Sequence, residues 1–358
     1  MTARSSAARV SPLVDGRLAL LAGLTLVIVL AIGLVPTILR EQTRDWIAYD
    51  QAADRLAEGE PLYVFELPTP DDEYYLYPPL AAAAWAVFRS PETLLALKIL
   101  ALLAVGSLAA VVAPRAAPRM QWAIAGALAA AALLAPPDIH DLVLGNVMAL
   151  YVGAVAVSLA RPGWIGATPL GLVCAAALKP VIVPYLVFLA IRRRADFGRV
   201  FVVGLAASAV VAGFIGPGRF FEYLVALPRM TVLADLPTGN VGLSAISPEA
   251  SIIGLVVGYA ATIWAAARLD LGRAAAVAAG LLAQPTIGFN YAGLLLPAVV
   301  MLWSSDRAAG LIAAVTVPVV TVVSPPLAAA LVILLAVTRI GERLPSRAAP
   351  AIVPAASA

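Results

Sequence analysis

Apolar residues in this chain come in long blocks that recur from residue 18 to residue 339, with short polar breaks between them. Neither the two-residue alternation of a half-buried strand nor the narrow apolar stripe of a soluble helix describes them. Such blocks read as helices that are apolar all round, and a bilayer core takes about 20 of these residues per crossing. The pattern predicts crossings at residues 18–39, 91–113, 119–136, 142–160, 164–178, 181–191, 198–215, 249–267, 273–285, 288–303, 308–323 and 326–339. Several are short and fit a membrane only as tilted or half-length helices beside a cavity. Residues 78–89, "PPLAAAAWAVFR", make about 18 Å of helix, less than a crossing needs, and read as a helix lying at the interface. Were they to cross, residues 164–191 would have to form one span.

Composition agrees with this reading. Hydrophobic residues make up 62% of the chain and charged residues 13%, about half the charge of an ordinary soluble domain. The expectation is an all-α polytopic membrane protein, residues 1–340 forming one integral domain and 341–358 a disordered tail. Residues 18–39 are too long for a signal-peptide core and predict a retained first span. Cys174 and His140 are the only residues of their types. An internal disulfide is impossible, and no Cys/His metal-ligand spacing exists; neither metal nor cofactor is expected. The net charge of +3 is small, and its distribution follows topology instead of forming a nucleic-acid patch.

Orientation follows from arginine. With both termini inside, 16 of the 24 basic residues fall in inner segments, among them Arg192–Arg194. The outer side then receives the loop 40–77, with three arginines against ten of the chain's 21 acids. It also receives residues 136–146, Lys179-Pro180, the loop 216–248 and residues 284–291. The unusual polar residues therefore gather on one face, which predicts a working site at the outer membrane surface.

Asp45 opens a helical pattern in which Trp46, Tyr49, Ala53 and Leu56 share one side, as suits a helix on the membrane surface. It suits a helix cap and equally a general base, which needs a carboxylate beside a hydroxyl. Asp50 and Asp54 read as a solvated face, and Asp71-Asp72-Glu73 as solvated loop. Tyr77 ends "YYLY" before Pro78 and Pro79, which fix an extended entry into a helix; the tyrosines also suit an interfacial anchor. Lys179, one of two lysines, stands in an apolar run beside a helix-breaking proline. A charge there is costly and either snorkels or works, for instance by holding a phosphate. Gly145 permits close approach to a ligand and Asn146 offers both donor and acceptor. His140 and Asp141 lie just upstream, Asp141 as a possible cap. Residues 238–246, Asn290 and Tyr291 complete the polar candidates.

These residues stand in a recognisable order. Asp-Trp-x-x-Tyr-x-x-Ala-x-x-x-Leu-x-x-Gly-x-x-Leu-Tyr occupies 45–63, Tyr-x-Tyr-Pro-Pro-Leu 75–80, Gly-Asn 145–146, and Leu-Lys-Pro 178–180 precedes an arginine run. From the first span to about residue 291 the chain resembles glycosyltransferase family 87, the polyprenyl-phosphate-mannose-dependent mannosyltransferases of the GT-C fold. The resemblance implies a catalytic aspartate in the first outer loop, at Asp45. It also implies a polyprenyl-phosphate sugar donor, a lipid or glycan acceptor, and an active site on the outer face of a bacterial-type plasma membrane. Lys179 would hold the donor phosphate, with Tyr49, Tyr77, His140, Gly145, Asn146, Asn290 and Tyr291 around the substrates. Family members commonly have Gly-Gln where this chain has Gly145-Asn146, and tend to carry a histidine where it has Gly288-Phe289-Asn290-Tyr291.

Two other classes remain open at this level. A transporter or lipid flippase also uses broken helices and a lysine within the membrane, although no internal repeat is present and the polar residues favour one face. A non-catalytic membrane scaffold would need neither Asp45 nor Lys179.

Overall fold

A computed structural model describes residues 44–66, 73–87, 89–106, 108, 146–160, 167–234, 240–268, 272–284, 287–305 and 307–342. These residues are all-helical, and no strand occurs among them. In chain order the helices are α1 (Arg44–Glu58), α2 (Pro79–Val87), α3 (Pro91–Gly106), α4 (Met148–Ala160), α5 (Ala167–Leu178), α6 (Val183–Arg192) and α7 (Arg194–Ile215). They continue with α8 (Gly218–Ala234), α9 (Pro248–Arg268), α10 (Gly272–Ala283), α11 (Leu295–Ser305), α12 (Arg307–Val323) and α13 (Pro325–Glu342). Short 3-10 segments occupy Pro180–Ile182, Leu243–Ala245 and Phe289–Leu294. Proline is the first residue of α2, α3, α9 and α13, where its fixed φ is already helical and its missing N–H is not needed.

Among the described residues two helices are long and apolar enough to cross a membrane: α7, with a mean hydropathy of 2.0, and Pro248–Ala267 of α9, at 1.8. The other apolar helices are shorter. Of the twelve expected crossings, residues 18–39 and 119–136 lie outside the described residues. The segment 78–89 forms the nine-residue α2, about 14 Å long, packed on α1. α13 continues to Glu342, and residues 343–358 lie outside the described residues.

α7 is apolar on its exposed side, the reverse of a soluble helix. Phe201, Val202, Leu205, Val210 and Phe214 all stand outward, Phe214 at 87% exposure. The opposite side rests on α5 and α6. α10 is the opposite case, with all twelve residues buried between α9, α6, α11 and α13.

The segment 216–248, expected as an outer loop, contains a helix. Gly216, at φ +85°, turns the chain sharply, and α8 then runs for 17 residues. Arg219, Glu222 and Arg229 dilute its hydropathy, yet it is two-faced. Phe221, Leu224 and Val225 are exposed, while Ala226 and Met230 are buried.

Two apolar cores result. The larger is built by α4–α6, α9–α13 and the Phe289–Leu294 turn. The smaller is aromatic: Tyr49, Tyr63, Tyr75, Tyr77 and Trp85 pack with Val147, Ala226 and Met230. The candidate residues lie where these cores meet.

Candidate active site

The site is assembled from four helix ends. α1 contributes Asp45 in its first turn. Trp46 meets Trp85 edge-on with ring centroids 4.5 Å apart, and Tyr49 meets Tyr77 edge-on at 5.0 Å. The apolar face of α1 is thus pinned to α2, and the Asp45 carboxylate is left at the half-buried rim.

Asn146 lies just before α4 and caps it. Its Oδ1 accepts the N–H groups of Val147 at 2.7 Å and Met148 at 3.2 Å, two donors that the helix cannot satisfy itself. Capping fixes the amide, so its other end is aimed. Asn146 Nδ2 donates to Asp45 Oδ2 at 2.6 Å and to the Tyr77 hydroxyl at 3.3 Å. One buried side chain therefore ties the base candidate, the aromatic loop and a core helix together across about a hundred residues of sequence.

Lys179 sits in the break between α5 and α6. Pro180 cannot continue the helix, and the 3-10 turn that follows presses against α10. A Cβ on Gly280 would lie 2.2 Å from the Val181 carbonyl oxygen, so the close approach requires glycine at this position. The lysine is buried yet not left among hydrocarbon. Its Nζ stands 4.7 Å from the Tyr77 ring centroid and 4.1 Å from that of Tyr291, within cation–π range. Asp45 lies within electrostatic reach of the same ammonium.

Tyr291 is supplied by the Phe289–Leu294 turn, and the buried Asn290 precedes it. Residues 240–245 clasp this turn. Val241 N–H donates to Ile287 O at 2.8 Å, and Asn240 Oδ1 accepts from Gly242 N–H at 2.8 Å and Ile287 N–H at 3.3 Å. The described parts of two weak candidates of the sequence, 240–246 and 287–291, thereby become neighbours.

Asp45, Tyr49, Tyr77, Asn146, Lys179 and Tyr291 thus converge, with Asn290 adjoining. Gly145 and His140 lie outside the described residues, as do Asp71 and Asp72. Burial pushes the Tyr77 phenol up to about 12, opposed by Lys179 and reinforced by Asp45 and Tyr291. It is therefore neutral at ordinary pH and can act as a hydrogen-bonding group without adding charge.

Asp50 and Asp54 are partly exposed, as expected of a solvated face, but they hold a partner that sequence reasoning missed. Arg89 Nε donates to Asp50 at 2.6 Å, and its Nη atoms donate to both oxygens of Asp54, Nη2 at 2.8 Å. The pair of bonds between Arg89 and Asp54 holds the Asp54 carboxyl below its ordinary value. Tyr63 and Tyr75 also went unassigned, although both belong to the quoted motifs. Tyr63 donates its hydroxyl to Tyr77 O at 2.8 Å, and Tyr75 donates to Pro78 O at 2.8 Å. Glu222 of α8 accepts the Tyr63 N–H at 3.0 Å, a long-range contact with no local signal.

Chemically, the arrangement offers a carboxylate at the rim, a buried cation a short way inside, and neutral hydroxyl and amide groups between them. That set suits a substrate that is anionic at one end and carries a hydroxyl at the other. No protein-family model matches the chain, and comparison with curated proteins and with solved structures likewise finds no match.

Proposed function

We propose that the chain is a membrane glycosyltransferase moving a sugar, mannose by its resemblance, from a polyprenyl-phosphate donor to a lipid or glycan acceptor. The observation that carries this reading is the single junction at which Asn146 orients Asp45 while Tyr77 and Tyr291 flank Lys179. In the proposed step Asp45 takes the proton of the acceptor hydroxyl. The acceptor oxygen attacks the anomeric carbon, and the bond from that carbon to the phosphate oxygen breaks. Polyprenyl phosphate leaves with the electron pair, its charge met by Lys179. A phosphate ester is already a good leaving group, so the harder task is activation of the hydroxyl.

The same reading takes the chain as GT-C-like, with about twelve crossings, α1 and α2 on the outer surface and both termini inside. The apolar exterior of α7 supports a lipid surround, and the short helices α6, α10 and α11 suit the walls of a cavity.

The test is a membrane assay with radiolabelled polyprenyl-phosphate mannose, comparing wild type with Asp45→Asn. The change is isosteric, leaves an acceptor oxygen for Asn146, and removes the basicity. A positioned base is worth roughly 100- to 10,000-fold, so turnover should nearly vanish at matched thermal stability. Robust transfer by Asp45→Asn removes the base from the mechanism. Wild-type movement of the donor across vesicles without transfer supports a flippase instead.

A further inference from the structure

The arginine run 192–194 plays no part in the site above, and its construction is more elaborate than topology requires. α6 ends and α7 begins at Arg193, whose N–H reaches Leu189 O at 2.7 Å and whose carbonyl accepts the Phe197 N–H at 3.0 Å. The chain turns within one residue, leaving Arg192 and Arg194 exposed on either side. Asp196, almost buried, is the carboxylate of this corner. Arg193 Nη1 stands 3.5 Å from it and Arg199 Nη1 3.3 Å, both longer than the about 2.8 Å of a strong charge-assisted bond. Arg273 is buried at the start of α10 and, with Arg193 and Asp196, acts electrostatically on the Tyr185 hydroxyl.

Arg193 and Arg199 thus bracket one carboxylate where α6 meets α7, with Arg192 and Arg194 exposed beside them. Each guanidinium carries five N–H donors in a fork that fits phosphate oxygens. Beside them α7 presents an apolar stripe. Phe197 and Phe201 stack with centroids 6.3 Å apart, and Leu205, one turn further on, is 61% exposed. Arg194 to Leu205 covers about 16 Å of helix, close to half of the roughly 30 Å hydrocarbon core. Charge at the end of an apolar stripe one leaflet long is the outline of a phospholipid.

We infer that this corner is a binding site for an anionic phospholipid, its phosphate on the arginines and its acyl chains along Phe197, Phe201 and Leu205. Basic pockets between helices on the inner face recognise such headgroups. The inference rests on the membrane reading and is independent of glycosyl transfer.

Protein purified in detergent is titrated with phosphatidylglycerol, with phosphatidylcholine and with soluble glycerol phosphate. Retained lipid is counted by native mass spectrometry, and the thermal midpoint is followed alongside. Phosphatidylglycerol should bind at least about tenfold more tightly than phosphatidylcholine, and high salt should erode the difference. Glycerol phosphate should leave the midpoint unmoved. Arg192→Gln/Arg194→Gln removes two exposed charges and should weaken phosphatidylglycerol about thirtyfold, at roughly fivefold per arginine near the surface. Equal retention of the two lipids by wild type overturns the inference, and that series needs no variant. So does an unchanged affinity in the double variant. A midpoint shift with glycerol phosphate equal to that with the lipid marks a free-phosphate site and overturns the lipid assignment. Protein that stays soluble and monodisperse once detergent is removed overturns the membrane reading itself, whatever the lipid series gives.

Discussion

Asn146→Ser separates the two duties of the residue that holds the site together. Serine caps a helix about as well as asparagine, so the Val147 and Met148 N–H groups keep an acceptor. Its side chain is one group shorter and cannot reach Asp45, whose carboxylate lies 2.6 Å beyond the asparagine nitrogen. The lost bond is to a charged acceptor and is worth about 1.5–3 kcal/mol, the lower end applying at a half-buried rim. Asn146→Ala loses the same bond and the cap as well, about 1 kcal/mol more, which lowers the thermal midpoint by roughly 2 °C beyond the serine variant. Turnover follows a different rule. A base displaced by about 1 Å costs around 100-fold, so both variants should fall by that factor. Midpoints come from a thermal ramp in detergent, and turnover from transfer of radiolabelled sugar at saturating donor. Serine turnover within about threefold of wild type would refute the positioning argument. Serine and alanine variants that melt together would refute the cap.

Lys179→Met should weaken binding of a polyprenyl-phosphate donor while the protein stays folded, because methionine fills similar space between Tyr77 and Tyr291; wild-type donor affinity in a binding titration would reduce the lysine to a packing role. Arg89→Gln should cost less than about 1 kcal/mol at neutral pH, the usual ceiling for exposed pairs, and leave turnover nearly intact. Arg89 holds the Asp54 carboxyl below its ordinary 3.8, so its stabilisation is present above that value and lost as pH falls through the lower folded one. The stability gap between wild type and variant should therefore be flat from about pH 8 to 5 and close below about pH 4; a gap that widens on acidification reverses the sign. Gly280→Ala forces a methyl group against the Val181 carbonyl and should cost about 1–3 kcal/mol, with a drop in donor binding because Lys179 directly precedes the displaced turn. An unchanged midpoint would mean that the turn yields freely.

The members of the site were legible because they contradict their surroundings. In a chain so apolar, a lysine beside a proline, an aspartate before two aromatics and an asparagine ahead of a helix each stand out by chemistry alone. What the sequence could not give was how they meet. The Asn146 amide reaches Asp45 only because α4 and α1 are brought together in space, and nothing local to either segment encodes that. Arg89 closes on Asp50 and Asp54 for the same reason. α8 was missed differently. Its stripe at Phe221, Leu224 and Val225 has helical spacing, but three charges and Pro228 lower the local hydropathy enough to read as loop. The crossing count is the least legible part, since hydropathy marks apolar stretches but does not tell a full span from a half-length helix whose neighbours finish the wall.

The burial of α10 bears on how the protein is made. Twelve residues give about 18 Å of helix, and Arg273 stands second in the sequence of the segment. An insertion machinery that samples each stretch against lipid would reject it, since a charge and a short length both count against entry. α9 has the length and apolarity to enter alone. It carries a ready berth: a Cβ on Gly258 would lie 2.9 Å from the Ala279 carbonyl oxygen, so the two backbones touch where α10 must dock. In the membrane reading, α10 would then enter the bilayer as the second arm of a hairpin led by α9. A bulky residue at Gly258 would show itself during biogenesis, as chains degraded before they mature, while the few molecules that did assemble would retain the proposed activity.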